Sequence, residues 1–261
     1  MIQLSDIECS ARKIAMKAGG ILMSYFQNKQ SIWAKPTYEI VSEADYASEE
    51  TIISHIKRTY PDHVIVSEES GTVPGDDKEC VWIVDPLDGT MKFVLGEVYF
   101  SISIAFEYKG TIEIGVIYNP ATKDFYIARR GEGSHKNGVV LRVSSNDKLT
   151  GSFVCCDWGY SASMQKKGLF YLSRLLPPTT RGVSINFSPA LDLCNLAEGF
   201  ITAMISNGTT PQDHSAGGLI VKEAGGSIIS FGRSDWSHQN EGIIATNSPS
   251  TQAQIIKLLE N

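Results

Sequence analysis

The sequence has few of the features that mark several large classes of protein. Its 261 residues include five cysteines, an odd number, and no C-x-x-C pair. A disulfide scaffold or a zinc cluster is therefore not expected, and a reducing compartment fits better. No apolar stretch approaches the roughly 20 residues that a membrane-spanning helix needs, and residues 1–13 lack the basic-then-apolar pattern of a signal peptide. We therefore expect a cytoplasmic protein with no membrane partner.

Positive charge is also scarce. The chain has 23 Lys and Arg against 29 Asp and Glu, which gives a formal net charge of −6. A protein that binds a nucleic-acid polymer usually carries a basic stripe, and this sequence has none, so such a partner is not expected. A small phosphorylated substrate is still compatible with the composition, because a bound metal ion reverses the local charge.

Three common catalytic motifs are missing as well. The histidines show no H-E-x-x-H spacing, there is no G-x-S-x-G nucleophile motif, and no glycine-rich segment ends as a P-loop does. His214 follows Asp213 at the predicted start of a helix, where we expect it to contact solvent. Neither zinc-dependent nor serine-dependent hydrolysis is supported.

The chain is predicted to fold as two closely packed α+β halves, residues 1–147 and 148–261. Apolar residues at spacings of three and four predict helices over 4–26 and 42–59. Between residues 99 and 143 the pattern changes to period two, with turn residues between the runs, which predicts an antiparallel meander. Helices and strands then alternate without a strict βαβ period, so we predict a layered arrangement.

The segment WIVDPLDGT at 82–90 combines two kinds of ligand group. An apolar strand delivers Asp85 and Asp88 into a loop, and Gly89 allows the backbone to approach a ligand closely. The amides of Gly89 and Thr90 would begin a helix, where anions bind readily. The segment could thus hold a hard cation beside a phosphate. The alternative is that Asp88 only caps the following helix.

Further acidic residues occupy similar positions at the ends of strands and helices. Glu68 and Glu69 follow a short apolar strand, and the alternative for them is a solvated surface. Asp213 begins a predicted helix and Asp45 completes a capping box with Ser42, so capping is the alternative for both. All-oxygen ligands suit Mg²⁺, Mn²⁺ or Ca²⁺ rather than zinc. The residues that would provide them are Glu68, Asp85, Asp88 and Asp213. If they converge, the cluster needs cations to be tolerable.

Several motifs spread along the chain resemble those of the inositol monophosphatase family of metal-dependent, lithium-sensitive phosphatases. They are SEAD at 42–45, SEES at 67–70, WIVDPLDGTMKF at 82–93, GVIYNPATKDFYIARRGEGSHKNG at 115–138 and DHSAGGLIVKEAGG at 213–226. The resemblance implies a layered α-β-α-β-α fold, of the type shared with fructose-1,6-bisphosphatase, and a homodimer.

The resemblance also implies a set of metal ligands. Glu68, Asp85 and the carbonyl of Leu87 would hold one Mg²⁺, and Asp85, Asp88 and Asp213 would hold a second. A third, weaker Mg²⁺ would be associated with Glu68, and Mn²⁺ is a possible substitute.

The remaining implied roles concern the reaction. Asp45 and Thr90 would orient and deprotonate the attacking water, and Glu69 would support the metal ligands without binding an ion itself. Gly89 and Thr90 would bind phosphate through their amides. The substrate contacts implied in this way are Asp88, Gly89, Thr90, Ser188, Pro189 and Asp213.

The departures from the family pattern concern the substrate. Where many members have Arg-x-x-Gly-Ser/Thr-Ala, this chain has SINFSP at 184–189, so that Phe187 and Pro189 replace Gly and Ala. Phe187 is either an aromatic platform for a ligand or part of the core. An acidic residue that touches inositol hydroxyls in the family falls at about Ser206, and Gln212 stands where a Trp is usual. A site without that acceptor discriminates against the hydroxyl that needs it.

The predicted function is Mg²⁺-dependent hydrolysis of a small phosphomonoester, with inositol 1-phosphate as the default substrate. Alternative substrates are 3′-phosphoadenosine 5′-phosphate, fructose 1,6-bisphosphate and histidinol phosphate. A non-catalytic regulatory protein on the same fold is the alternative from another class.

Overall fold

Two large sheets and the helices that cover them form the structure, a computed structural model that describes residues 2–36 and 39–260. The helices are α1 (Leu4–Tyr25), α2 (Glu43–Thr59), α3 (Thr90–Val94), α4 (Ala162–Leu175), α5 (Pro189–Ala197), α6 (Pro211–Glu223) and α7 (Pro249–Glu260). The strands of the first half are β1 (Ile32–Ala34), β2 (Ile40–Ser42), β3 (His63–Ser67), β4 (Gly71–Val73), β5 (Asp77–Asp88), β6 (Ser101–Tyr108), β7 (Thr111–Asn119), β8 (Asp124–Arg129), β9 (Gly133–Lys136) and β10 (Val139–Val140). Those of the second half are β11 (Phe153–Asp157), β12 (Gly182–Ser184), β13 (Ala203–Ser206), β14 (Ser227–Ser230) and β15 (Ile243–Thr246).

The first sheet has eight strands in the order β10-β9-β8-β7-β6-β5-β3-β4. Strands β6 to β9 pair antiparallel with their sequence neighbours, which confirms the predicted meander. Two of its turns use residues at positive φ, Lys109-Gly110 and Asn137-Gly138, as tight hairpins require. Strand β5 instead lies parallel to β3, so that both strands end at the same edge of the sheet.

The second sheet has five strands in the order β12-β11-β13-β15-β14. Strand β11 is parallel to β12 and β13, so that Asp157 and Ser206 are partners at the carboxyl ends of two neighbouring strands. Strands β14 and β15 complete the sheet in antiparallel pairing.

The layers follow the order α-β-α-β-α, which confirms the predicted fold class. Helices α1 and α2 cover one face of the first sheet, and α6 packs on its other face. Helices α5 and α6 form the middle layer, which also contacts the second sheet, and α4 and α7 cover the outside of that sheet. Because the middle layer shares one hydrophobic core with the first sheet, the second half of the chain packs directly against the first. No helix in the described ranges is both long and apolar enough to cross a membrane.

Small residues allow the middle layer to approach the first sheet closely. A Cβ atom added to Gly115 on β7 would lie 2.6 Å from the carbonyl oxygen of Ala216 on α6. On the opposite side of α6, a Cβ added to Gly217 would lie 2.5 Å from Leu193 on α5. Helix α6 is thus fixed between two neighbours at short range.

Helix starts differ slightly from the sequence prediction. Ser42 is the N-cap of α2, and Ser42 and Asp45 form the predicted capping box. Helix α6 begins at Pro211, two residues before the predicted start at Asp213, because Thr210 is its N-cap and Asp213 is the third helical residue that returns the capping bond.

A candidate metal centre in an acidic cleft

The DPLDGT segment forms an irregular end of strand β5. The pairing of β5 with β6 shifts register between Asp85 and Asp88, and the amide of Leu87 donates to Asp85 Oδ1 over 2.9 Å. Gly89 then adopts a φ of 82° and is the N-cap of the short helix α3. A Cβ on Gly89 would lie 2.9 Å from the carbonyl oxygen of Tyr99, so both conformation and space require glycine. Asp88 is therefore not the cap of α3, and that alternative is wrong.

Three carboxylates converge at this point. Asp85, Asp88 and Asp213 each have a carboxylate oxygen within 4.8 Å of one from each of the others, although Asp213 comes from α6 in the second half of the chain. Burial raises the pKa of Asp85 well above its usual range, and the charges of Glu68, Asp88 and Asp213 raise it further. Burial, followed by the charge of Glu68, does the same for Asp213.

The donor set of this cluster fits a hard divalent cation. It consists only of oxygen atoms. Asp85 and Asp88 are buried, Asp213 is partly buried, and the three lie close enough to repel one another. Buried carboxylates at such separations are costly unless positive charge compensates them.

Asp88 is held by hydrogen bonds from both halves of the chain. Its carboxylate accepts bonds from the hydroxyls of Ser188 (2.5 Å) and Ser101 (3.1 Å) and from the amide of Ala190 (3.4 Å). Burial raises the pKa of Asp88 to about 7, against the lowering effect of these bonds. Ser188 is fully buried and is not among the cleft-lining residues, whereas Pro189 is. Ser188 thus reaches the site through Asp88.

Glu68 and Glu69 lie beside the cluster and share one lysine. Lys35 Nζ donates to Glu68 Oε1 over 2.9 Å and to Glu69 Oε1 over 2.6 Å. Burial raises the pKa of Glu69 to about 7, and the neighbouring charge of Glu68 adds to the rise. Both glutamates line the cleft, so neither is a freely solvated surface acid.

Asp45 combines the two roles that the sequence left open. Its Oδ2 accepts the amide and the hydroxyl of Ser42 over 2.8 Å and 2.6 Å, which is the capping box. Its Oδ1 accepts the hydroxyl of Thr90 over 2.9 Å, and that hydroxyl also lies 3.0 Å from the carbonyl oxygen of Leu87. Burial raises the pKa of Asp45 to about 6, although the bonds from Ser42 and Thr90 lower it. Capping and contact with the candidate site are therefore compatible.

A cleft of about 590 Å³ joins these groups. The predicted site residues that line it are Glu68, Glu69, Asp85, Leu87, Asp88, Gly89, Thr90, Pro189 and Asp213. Asp45 and Ser188 stand behind this lining, in contact with Thr90 and Asp88. Phe187 lines the cleft half-buried, in edge-to-face contact with Trp158.

Sequence reasoning missed two acidic residues of the cleft, Glu39 and Asp157. Asp157 ends strand β11, lines the cleft and is only 4% exposed. Burial raises its pKa to about 7. The available signal was its position at the end of an apolar run, the same signal that identified Asp85.

The expectation for His214 was wrong. The side chain is fully buried, and its Nε2 lies 3.0 Å from the carbonyl oxygen of Asn240. Burial lowers its pKa to about 4. It faces inward because the helix begins earlier than predicted, which places His214 on the packed side of α6.

A second group of possible ligands, His63, Asp77 and Cys80, is not suited to a metal. The indole N–H of Trp82 donates to His63 Nδ1 over 3.0 Å. Nε2 must then carry the proton, so that neither ring nitrogen offers a free lone pair. Burial also raises the pKa of the Cys80 thiol to about 12, which disfavours the thiolate that a metal would need.

The fold and the site define a class of protein, a five-layered α+β protein with a cluster of carboxylates in a cleft between its halves. The family model described as "Inositol monophosphatase family" matches residues 3–261, and the chain belongs to this family.

Individual relatives cover almost the whole chain. A protein of Pasteurella multocida named Nus factor SuhB is 34% identical over 252 residues, which cover 96% of this chain and 94% of the relative. The extragenic suppressor protein suhB of Bartonella henselae superimposes with a TM-score of 0.91 at 29% identity, covering 98% and 99% of the two chains. An inositol monophosphatase from Anabaena gives a TM-score of 0.85 at 28% identity, covering 98% and 96%.

Proposed function

We propose that this protein is a Mg²⁺-dependent phosphatase that hydrolyses a small phosphomonoester, with inositol 1-phosphate as the default substrate. The observation that carries the proposal is the convergence of Asp85, Asp88 and Asp213 within 4.8 Å in a cleft. Membership of the inositol monophosphatase family supports the same reaction.

In this proposal the carboxylates are the ligands of two or three Mg²⁺ ions, as the resemblance implies. Glu68, Asp85 and the carbonyl of Leu87 would hold one Mg²⁺, and Asp85, Asp88 and Asp213 a second, with a third ion beside Glu68. When bound, such ions lower the pKa of a water and neutralise the charge that develops on the phosphoryl and leaving oxygens.

The protein's own contribution is to orient the water and receive its proton. Thr90 uses its single hydroxyl proton toward Asp45 or the Leu87 carbonyl, so its oxygen keeps lone pairs that can accept a hydrogen bond from water. The proton lost by the water passes through Thr90 to Asp45, whose raised pKa suits a base near neutral pH. The water oxygen bonds to phosphorus as the ester P–O bond breaks. The leaving alkoxide takes a proton from a solvent water, and Asp45 then returns its proton to solvent, so that the products are the alcohol and inorganic phosphate.

The remaining groups position the reactants. The amides of Gly89 and Thr90 lie at the cleft and would bind the phosphate oxygens. Ser188 and the amide of Ala190 fix the orientation of Asp88, and Glu69 draws part of the Lys35 charge away from Glu68. Preorganised groups of this kind lower the barrier because they need not reorient during the reaction.

The test is phosphate release from inositol 1-phosphate and a panel of other phosphomonoesters, with and without Mg²⁺. Asp88→Asn should lower kcat by about a hundredfold or more, because it removes charge from the cation site. The exposed acid Asp147 provides the matched control Asp147→Asn, which should retain activity. Release that needs no divalent cation, or that survives in a folded Asp88→Asn protein, would overturn the proposal.

The names of several relatives favour a second candidate, that this chain acts as a Nus factor. Such a role need not use the acidic cleft for hydrolysis. If phosphate release is absent across the panel while a protein partner co-purifies, this candidate replaces the first. The homodimer implied by the resemblance is a separate proposal, which sedimentation velocity can test.

A further inference from the structure

The part of the cleft that the second sheet provides contains a carboxylate with no assigned role. Asp157 lies at the end of β11, paired in register with Ser206 on β13. The hydroxyl of Ser206 hydrogen-bonds to its carboxylate. Oδ2 of Asp157 is buried and has no hydrogen-bond partner. A buried carboxylate oxygen left in this state is costly unless a ligand satisfies it.

The surroundings of Asp157 lack positive charge. Among the described residues that line the cleft, seven are acidic and Lys35 is the one basic residue. Lys35 is engaged by Glu68 and Glu69. The charges that act on Asp157 are those of Asp192 and Asp88, and both are negative. The cleft therefore favours a ligand that brings a positive group to Asp157.

Two aromatic side chains, Trp158 and Phe187, line the same cleft as Asp157. Trp158 follows Asp157 in the chain, and the Phe187 ring meets its ring edge-to-face with centroids 5.6 Å apart. Phe187 has a φ of 52°, which is uncommon for a residue other than glycine. Its neighbours hold it there, since Asn186 donates to Asp192 over 2.6 Å. A strained residue that its surroundings pin at a cleft indicates a role for its side chain.

We propose that this wall of the cleft selects phosphomonoesters whose alcohol carries an ammonium group. The ammonium would pair with the carboxylate of Asp157, and the rings of Trp158 and Phe187 would pack against it. Carboxylate and aromatic faces together are the groups that hold organic cations in proteins. The inference rests on the proposed phosphatase function, because it names the substrate class of the same cleft.

The test uses two phosphonates that cannot be hydrolysed and that differ in one group. 3-Aminopropylphosphonate carries the ammonium, and 3-hydroxypropylphosphonate carries a hydroxyl in its place. Calorimetric titration in the presence of Mg²⁺ should show about tenfold tighter binding of the amine to the unmodified protein. In Asp157→Asn the ratio of the two affinities should fall to about one, and in Asp147→Asn it should stay as in the unmodified protein.

Hydrolysis of the matching esters, O-phosphoethanolamine and 2-hydroxyethyl phosphate, separates this inference from the proposed function. If the protein hydrolyses neither these esters nor inositol 1-phosphate with Mg²⁺, the phosphatase proposal fails. If it hydrolyses inositol 1-phosphate but not O-phosphoethanolamine, the ammonium inference alone is wrong. The ammonium inference is also wrong if the two small esters are both hydrolysed but the hydroxyl compound binds as tightly as the amine or more tightly. An amine preference that survives Asp157→Asn also refutes it.

A second variant guards against a folding defect in Asp157→Asn. Phe187→Leu keeps an apolar side chain but removes the ring, and should weaken amine binding by about threefold while changing binding of the hydroxyl compound less. Equal losses for the two phosphonates would contradict the proposed contact.

Discussion

The buried carboxyl group of Asp157 should make the stability of this protein depend on pH in a way that one substitution removes. Burial raises its pKa from 3.8 to about 7, and the hydrogen bond from Ser206 does not offset the rise. Below pH 3.8 the group is neutral in the folded and the unfolded chain, so its burial carries no ionisation penalty. As the pH rises toward 7 the unfolded chain ionises first, and the folded state loses stability until the folded pKa is passed.

The size of this penalty follows from the two pKa values. Their difference corresponds to about 4 kcal/mol of unfolding free energy once both states are ionised. Since the side chain is 4% exposed, solvent screening removes little of it. Asp157→Asn cannot ionise and keeps an oxygen that accepts from Ser206. Between about pH 5 and pH 8.5, the free energy of unfolding of the variant should therefore rise by about 3 kcal/mol relative to that of the unmodified protein.

Urea denaturation of both proteins, without divalent cations and across this pH range, measures the difference between their free energies of unfolding. Asp147→Asn, measured in parallel, is the control for removing one carboxylate from an exposed position. If the difference between Asp157→Asn and the unmodified protein does not change with pH, the reasoning is refuted. Such a result would mean that the ionised carboxylate finds stabilising partners in the folded chain at high pH.

Three further perturbations test the packing of α6, the proposed role of the Thr90–Asp45 pair and the charge next to Glu68. Gly115→Ala should lower the free energy of unfolding by about 1–3 kcal/mol, because its Cβ would lie 2.6 Å from the carbonyl oxygen of Ala216. An unchanged urea midpoint would show that α6 can shift away from the added methyl group without loss of stability. Thr90→Val should reduce kcat by about a hundredfold at an unchanged Tm, whereas Thr90→Ser should retain most activity; equal losses in both would rule out a role for the hydroxyl. Lys35→Gln removes a positive charge 2.9 Å from Glu68 and should lower the half-saturating Mg²⁺ concentration by about threefold, because Lys35 competes with Mg²⁺ for Glu68. A higher half-saturating concentration would show that Lys35 instead holds Glu68 in place for the ion.

Local patterns predicted the fold well because each layer has its own periodicity. The period-two run between residues 99 and 143 gave the meander, and the spacing of apolar residues gave α1 and α2. The start of α6 was misplaced because Thr210 and Asp213 form the capping box together, and a capping aspartate resembles a first helical residue in the sequence. That error also assigned His214 to solvent, although it is fully buried.

Some residues of the candidate site could be predicted from the sequence and others could not. Asp85, Asp88 and Thr90 lie within one short motif whose residue types already suggest a cation beside a phosphate. Asp157 was not selected from the sequence, because a single acid at the end of a strand has many possible surroundings. Only the pairing of β11 with β13 and the missing partner of its Oδ2 distinguish it. Long-range packing, which the sequence does not display, decides which acids meet.

The convergence of the carboxylates depends on how closely the two halves pack. Asp213 reaches Asp85 because α6 lies directly on the first sheet, and the small residues Gly115 and Ala216 permit that approach. The same packing brings the mutually repelling carboxylates together, so part of the free energy of core formation offsets their repulsion. A divalent cation bound to the cluster would relieve that repulsion and therefore hold the halves together. Loosening the contact at Gly115 should consequently weaken cation binding as well as stability, although this residue lies outside the acidic cluster.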